Sequence, residues 1–393
     1  MHDPSGILRT ESGTWPVIAA GDGYVTVLGA DHVEETPRGL VFHRLPPHAL
    51  RRIHTEFFRV VETQPSGVRL ALRSRATDIE LVVSTTALTL FSDEPVRSYG
   101  QFDLVVDGKL HREFSVRAGS LRTADIVTNR SWVASVDAVT VRFDNLPPGD
   151  KSVEIWLPHD VEVAVQCIRA DAPLVASEDS GRRWLHYGSS ISHGMNAHGP
   201  TGTWPAVAAV AAGVSLVNLG FSGNAMVDPF VATAIRDQRA DIITLKIGIN
   251  VINHDGFRAR TLVPAVISFI DTIRERHPET AIWVISSILC PIVEDRPGPT
   301  TLVGEPGARH ATTSGLPGEV VRGRLSLSLT RDLLKQIVDS RSVDDPNLHY
   351  LDGRELYGRP ENRSMPMRDG LHPDSEAQRH IGLRFAELVL GSG

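Results

Sequence analysis

Cysteine is nearly absent from this 393-residue chain: only Cys167 and Cys290 occur. Two thiols so far apart can build neither a disulfide framework nor a zinc site of cysteine ligands. Positive charge is not in excess either. Forty Lys and Arg face 47 Asp and Glu, a formal charge of −7 that gives no footing for a nucleic-acid partner. Long apolar runs are missing, and the longest fall well short of a bilayer span. The first residues, MHDPSGILRTESGTW, lack a basic segment followed by an apolar core, so no signal peptide is expected and a cytoplasmic location is the default. No internal repeat is visible. What remains is the composition of a soluble globular protein, 41% hydrophobic and 22% charged, in a chain long enough for two domains.

The chain is written in two grammars. Up to about Val175 the apolar residues recur every second position. Val68, Leu70 and Leu72 alternate through GVRLALRS. Val139, Val141 and Phe143 do the same, and Val153, Ile155 and Leu157 resume after a Pro-Pro-Gly-Asp turn. QFDLVVDGKL carries the Asp-Gly pair of a tight hairpin, and VEVAVQCI adds a further strand. With almost no helical stretch among them, these strands imply an antiparallel β-sandwich over residues 1–177, jelly-roll-like and of a kind that includes carbohydrate-binding modules. From residue 178 onward, short apolar runs (RRWLHYG, SLVNLGF, ADIITLKIG, AIWVISSI, LHYLDG) alternate with helical patterns, among them TWPAVAAVAAG, DPFVATAIRDQ, RARTLVPAVISFIDTIRERH, EVVRGRLSLSLTRDLLKQIVDS and a last helix capped by Asp374. That alternation implies an α/β, doubly wound parallel sheet over 178–393. One connection, Cys290 to Gly318, is rich in Gly, Pro and Thr and follows neither period. Loops of that length are commonly functional covers or disordered.

In an open parallel sheet, ligands bind beyond the carboxyl ends of the strands. Three such ends are Gly188-Ser189-Ser190-Ile191-Ser192, Gly220-Phe221-Ser222-Gly223-Asn224 and Lys246-Ile247-Gly248-Ile249-Asn250. The loop before the last helix, RDGLHP, brings Asp369 and His372 to the same rim. These residues suit acyl transfer. A serine hydroxyl needs a base to take its proton, His372 can be that base, and Asp369 three residues earlier can hold the imidazole tautomer. The backbone N–H groups of Ser190 and Gly223 and the side-chain amide of Asn250 can serve as oxyanion donors. His193 and His198 are five apart in a loop with no completing ligand, so no metal is expected there. His193, Asn253 and His254 are candidates for the pocket edge. Trp184 and Trp204 are expected in the core.

Taken in order, the four segments resemble the SGNH, or GDSL-type, hydrolases over roughly residues 182–390. GSSIS is similar to their first block, Gly223 to the glycine of the second, Gly248-x-Asn250 to the third, and Asp369-x-x-His372 to the last. The resemblance selects Ser190 as nucleophile, rather than Ser189 or Ser192, and implies the SGNH hydrolase fold, flavodoxin-like in its doubly wound sheet. Two positions depart from the pattern: Ser189 stands where aspartate is usual, and Val251 where aspartate is frequent. An α/β-hydrolase would need Gly-x-Ser-x-Gly, and Ser192 occupies its fifth position. The resemblance implies an enzyme without metal or organic cofactor. Its first expected reaction is removal of a small acyl group from a carbohydrate or other hydroxylated small molecule. The second is transfer of an acyl group from a thioester such as acyl-CoA to an alcohol, as in natural-product tailoring. A third reading makes the chain a non-catalytic carbohydrate-binding protein. Neither a nucleic-acid nor a membrane partner is expected, and the oligomeric state is left open.

Overall fold

The computed structural model describes residues 15–17, 25–90, 93–125, 128–177 and 181–391. The chain divides into two compact units. One runs through Gly181 and includes the short segments Gly199–Thr201 and Ser215–Asn218. The other comprises Arg182–His198, Gly202–Val214 and the chain from Leu219 onward.

The first unit holds two seven-stranded sheets. One is ordered Trp15–Val17, Val25–Leu28, Arg69–Ser74, Lys151–Trp156, Gln101–Val106, Lys109–Ser115, with Leu174–Ala176 also on Arg69–Ser74. The other is ordered Arg130–Ala134, Ser120–Asp125, Ile79–Thr89, Val161–Ala170, Gly39–His43, His32–Thr36, with Val139–Phe143 also on Ile79–Thr89. The alternating residues account for the layering. Leu70, Leu72, Phe102, Leu104, Val153 and Ile155 of one sheet share a single buried core with Phe42, Leu81, Val83, Val141, Phe143 and Val163 of the other. At the hairpin, Asp107 and Gly108 both take positive φ, 47° and 75°, as a two-residue turn of that sequence requires. Two features add to the expected antiparallel unit with almost no helical stretch. Ile79–Thr89 and Ser120–Asp125 pair in parallel. A helix also spans Glu56–Thr63, opened by Thr55, whose hydroxyl accepts the Phe58 N–H at 3.3 Å.

The α/β sheet is built on five strands, β1 (Arg183–Gly188), β2 (Ser215–Gly220), β3 (Ile242–Ile247), β4 (Ala281–Ser286) and β5 (Leu348–Leu351). Their order is β2-β1-β3-β4-β5, the flavodoxin-like arrangement, with β1, β3, β4 and β5 paired in parallel. The helices are α1 (Ser190–His193), α2 (Trp204–Ala212), α3 (Pro229–Asp237), α4 (Ile249–Asn253), α5 (Ala259–Arg274), α6 (Leu327–Arg341), α7 (Arg359–Ser364) and α8 (Ser375–Phe385). Trp184 and Trp204 are fully buried with ring centroids 5.9 Å apart, and Phe385 of α8 packs on both. The helix expected from Glu319 is shorter than its pattern. A 3₁₀ turn ends at Arg322, Gly323 follows at φ 84°, and α6 starts afresh behind the Ser326 cap. The Cys290–Gly318 connection also has structure of its own, an antiparallel ribbon of Thr300–Val303 on His310–Thr313. No helix among the described residues is long and apolar enough to cross a membrane.

Candidate active site

Strand β1 ends at Gly188 and the chain turns at once into α1, with Ser190 as its first residue. Ser189 is the cap: its Oγ accepts the Ile191 N–H at 3.4 Å. That is the local task an aspartate would perform at this position, because serine and aspartate are comparable caps. The turn is tight. A Cβ on Gly188 would come within 2.3 Å of the Ser192 hydroxyl, so only glycine leaves room for α1 to fold back on its strand. Ser190 itself is 8% exposed, and its Oγ lies 2.9 Å from Nε2 of His372. Nδ1 of His372 lies 2.7 Å from Oδ2 of Asp369.

The protons in this chain of contacts follow from the carboxylate. Burial works to raise the Asp369 carboxyl. The hydrogen bond and charge of His372, with two backbone N–H groups, outweigh burial and hold it far below its ordinary value. Oδ1 accepts the Leu371 N–H at 2.9 Å and the His372 N–H at 2.8 Å, while Asn196 Nδ2 donates to Oδ2 at 3.3 Å. A carboxylate can only accept, so Nδ1 of His372 carries the hydrogen. Nε2 of the neutral ring is then an acceptor facing the Ser190 hydroxyl.

The remaining blocks are tied to α1 and to one another. Asn250 lies in α4 and is 3% exposed, and its Oδ1 accepts the Ala225 N–H at 3.1 Å. That bond fixes the amide orientation and leaves Nδ2 as the outward donor. Gly223 sits at φ 70°, and its carbonyl accepts Nε2–H of His254 at 2.9 Å. His254 is exposed and thus at the edge of the Gly223 loop. Asn253 is half-buried, with an Oδ1 that has no hydrogen-bond partner. His193 is 2% exposed, and its Nδ1 accepts the Ser222 N–H at 3.3 Å, so it braces the Gly223 loop rather than facing open space. His198 is exposed where His193 is buried, and among the described residues no His, Cys, Asp and Glu cluster is arranged to hold a metal ion. The Cys290–Gly318 excursion reaches both sides of this group. Ala311 N–H donates to the Asp369 carbonyl at 2.8 Å, Cys290 Sγ lies 3.4 Å from the Gly370 carbonyl, and Arg324 joins the Gly298 carbonyl to the Asp255 carboxylate after α4.

Residues 186–380 match the model of the GDSL-like Lipase/Acylhydrolase family. They form a GDSL-like lipase/acylhydrolase domain. The fold is the SGNH hydrolase fold, and solved structures resemble the chain beyond that segment. A salicylyl-acyltransferase, SsfX3, from a tetracycline biosynthetic pathway is 26% identical with a TM-score of 0.79, covering 98% of this chain and 100% of its own. A family two carbohydrate esterase from Clostridium thermocellum, in complex with cellohexaose, is 13% identical with a TM-score of 0.58, covering 92% and 97%. An acetyl xylan esterase, Est2A, from Butyrivibrio proteoclasticus is 11% identical with a TM-score of 0.53, covering 96% and 97%. The last two are likenesses of fold. The comparison with curated proteins returns no match.

Several polar residues of the GDSL-like domain went unread in the sequence, His186 and Thr244 because they lie inside apolar strand runs and Gln378 because it lies within the last helical pattern. His186 is fully buried, with Nδ1 2.7 Å from the Thr244 hydroxyl and Nε2 2.8 Å from the Ser192 hydroxyl. Trp184 Nε1–H donates to the same Thr244 oxygen at 2.8 Å. Burial, and secondarily the charge of Lys246, push the His186 imidazole well below its ordinary value, so this ring is neutral. Gln378 of α8, also fully buried, accepts the Trp204 N–H at 2.9 Å and donates to the Met195 carbonyl at 3.2 Å. The available signal was a polar side chain in a run that must be buried on both faces.

Proposed function

We propose that the chain is an acyltransferase working through an acyl-enzyme on Ser190, with Asp369 and His372 completing the catalytic triad. The observation that supports this assignment is the unbroken run of contacts from Ser190 Oγ through both nitrogens of His372 to Asp369, at 2.9 and 2.7 Å. His372 Nε2 takes the Ser190 proton as Oγ attacks the acyl carbonyl. The Ser190 and Gly223 N–H groups and Asn250 Nδ2 receive the oxyanion. Collapse breaks the bond to the leaving group, which departs with the proton held on His372. An acceptor alcohol then gives its proton to Nε2 as its oxygen attacks the acyl-Ser190 carbonyl. The second tetrahedral intermediate returns that proton to Ser190 Oγ and releases the new ester. His254 and Asn253 stand at the pocket edge in this reading, and His193 is a brace. The catalytic apparatus belongs to residues 178–393, with 1–177 as the sandwich domain.

Transfer is placed ahead of hydrolysis, the reverse of the order that the sequence suggests. The reason is the end-to-end likeness to a salicylyl-acyltransferase, the one neighbour above whose identity exceeds a likeness of fold. An acyl thioester such as acyl-CoA is the proposed donor, and a hydroxylated small molecule the acceptor. Removal of acyl groups from carbohydrate esters is the second reading, which the esterase folds favour. Incubation with acyl thioesters, with and without hydroxylated acceptors, tests the choice. New ester formed faster than free acid supports transfer. Free acid alone, on thioesters and sugar esters alike, makes the enzyme a hydrolase. Wild-type protein that neither turns over esters nor takes a fluorophosphonate label removes the catalytic reading altogether.

A further inference from the structure

One strained residue lies between the oxyanion loop and α3. Val227 has φ 58°, in the left-handed region. The other non-glycine residues of positive φ among those described are Asp107, Asn129, Asn145, Asn196 and Asp255, all types that tolerate it. A β-branched side chain does not, and a conformation of this kind persists only where its surroundings hold it. Val227 is 5% exposed, and its N–H donates to the Tyr187 hydroxyl at 3.0 Å. Tyr187 is fully buried against Phe269, three residues ahead of Ser190 on β1. Its phenol stays protonated, because burial and then the charge of Asp228 push it far above its ordinary value.

The segment that ends at Val227 is tied at nearly every residue. Ser222 N–H reaches His193, the Gly223 carbonyl receives His254, and Ala225 N–H reaches Asn250. Val227 N–H to Tyr187 is the last of these ties, and it crosses to the strand that presents the nucleophile. We propose that Tyr187 is a positioning residue: its hydroxyl holds Val227 in the left-handed conformation and so fixes where the Gly223 N–H points relative to Ser190. Without that acceptor the Val227 backbone relaxes to negative φ, and the loop bearing Gly223 shifts with it. This rests on the assignment of Ser190 and the Gly223 N–H made above.

The test is a set of variants assayed on p-nitrophenyl acetate, with thermal midpoints measured alongside. Tyr187→Phe keeps the ring against Phe269 and removes only the acceptor. Its kcat should fall roughly ten- to a hundredfold at unchanged KM, the scale on which small misplacements act. Glycine adopts positive φ without strain, so Tyr187→Phe/Val227→Gly should recover most of the lost kcat. Tyr187→Phe/Val227→Ala removes side-chain carbons as well but keeps the strain, and should recover none. A loss of packing would be rescued by neither or by both alike. Unchanged kcat in Tyr187→Phe, a loss confined to KM, or equal rescue by Ala and Gly overturns the proposal. Should Tyr187→Phe not fold, the single variants decide it: Val227→Gly must melt above Val227→Ala, and the reverse order overturns the assignment of strain. Ser190→Ala separates the two levels. If it retains full turnover, the site reading fails and this inference with it. If Ser190→Ala is inactive and Tyr187→Phe behaves as wild type, only the positioning role falls.

Discussion

The sandwich and the α/β unit each contain a histidine, buried in one and half-buried in the other, that is hydrogen-bonded at both ring nitrogens, and the partners set opposite uses for the two rings. In the sandwich, His43 lies between two carboxylates, Glu62 at 2.9 Å from Nδ1 and Glu34 at 3.0 Å from Nε2. Burial lowers its imidazole, but the two carboxylates more than compensate and the ring is raised above its ordinary value. When it carries the second proton, such a ring donates on both sides and has no acceptor to offer. In the α/β unit, His372 has a carboxylate on one nitrogen and a hydroxyl on the other, so one acceptor remains. His186 has hydroxyls on both sides and no carboxylate, which leaves a neutral ring with nothing to stabilise its charged form. The lesson is that a second carboxylate turns a base into a brace, and none at all turns it into a linker.

The largest test of that contrast removes the hydroxyl or the carboxylate from His372. Ser190→Ala and Asp369→Asn should each lower kcat by about 10⁴-fold or more, with Ser190→Ala also losing fluorophosphonate labelling. Asn250→Ala should cost about 10²–10³ in kcat, read as a drop in kcat rather than a rise in KM, because in the proposed mechanism the amide acts on the developing oxyanion. On the sandwich side, Glu62→Gln should leave kcat alone and destabilise the strands Gly39–His43 and His32–Thr36 by about 2–3 kcal/mol, measured by hydrogen exchange. The sign follows from the raised His43. Its stabilisation is complete below the unfolded value near 6.5 and is lost as pH rises through the higher folded value. The gap between wild type and Glu62→Gln should therefore shrink in alkaline solution.

The smallest effect concerns Asp228, whose carboxyl is pushed up to about 6 by burial and whose Oδ2 has no partner. Here the folded form favours the proton, so stability is full below about 3.8 and lost as pH rises through 6. Asp228→Asn should raise the stability at pH 8 by about 1–2 kcal/mol, after allowance for its partial exposure, and change nothing at pH 3.

Much of this was legible in the residues, and the parts that were not share a cause. Alternation reports which face of a strand is buried, so Arg69–Ser74, Val139–Phe143, Lys151–Trp156 and Val161–Ala170 could be read directly. The five parallel strands announced themselves as apolar runs between helical patterns. The helix at Glu56–Thr63 was missed because eight residues are a short pattern and Val60 and Val61 are β-branched, although Phe57, Phe58, Val60 and Val61 keep a helical spacing and Thr55 before Glu56 was an available cap signal. The ribbon of residues 300–313 was missed because four-residue strands rich in threonine carry too little pattern. The parallel pairing of Ile79–Thr89 with Ser120–Asp125 is a property of topology, and no local period encodes it. At the site, the ordered blocks pointed to Ser190, Gly223, Asn250, Asp369 and His372. Tyr187, His186 and Thr244 stayed hidden because a polar residue inside a buried strand looks like an interruption until its partner on a neighbouring strand is known.

Each of the loops around Ser190 is anchored to another loop as well as to its own strand: His193 to Ser222, Asn250 to Ala225, His254 to Gly223, Ala311 to Asp369. These loops are not interchangeable parts. A graft that imported one of them from a relative would arrive without the partner its hydrogen bonds were made for, and would misplace two loops at once. Re-engineering this site therefore calls for exchanging loops in bonded pairs, with the Gly223 and Asn250 segments moved together.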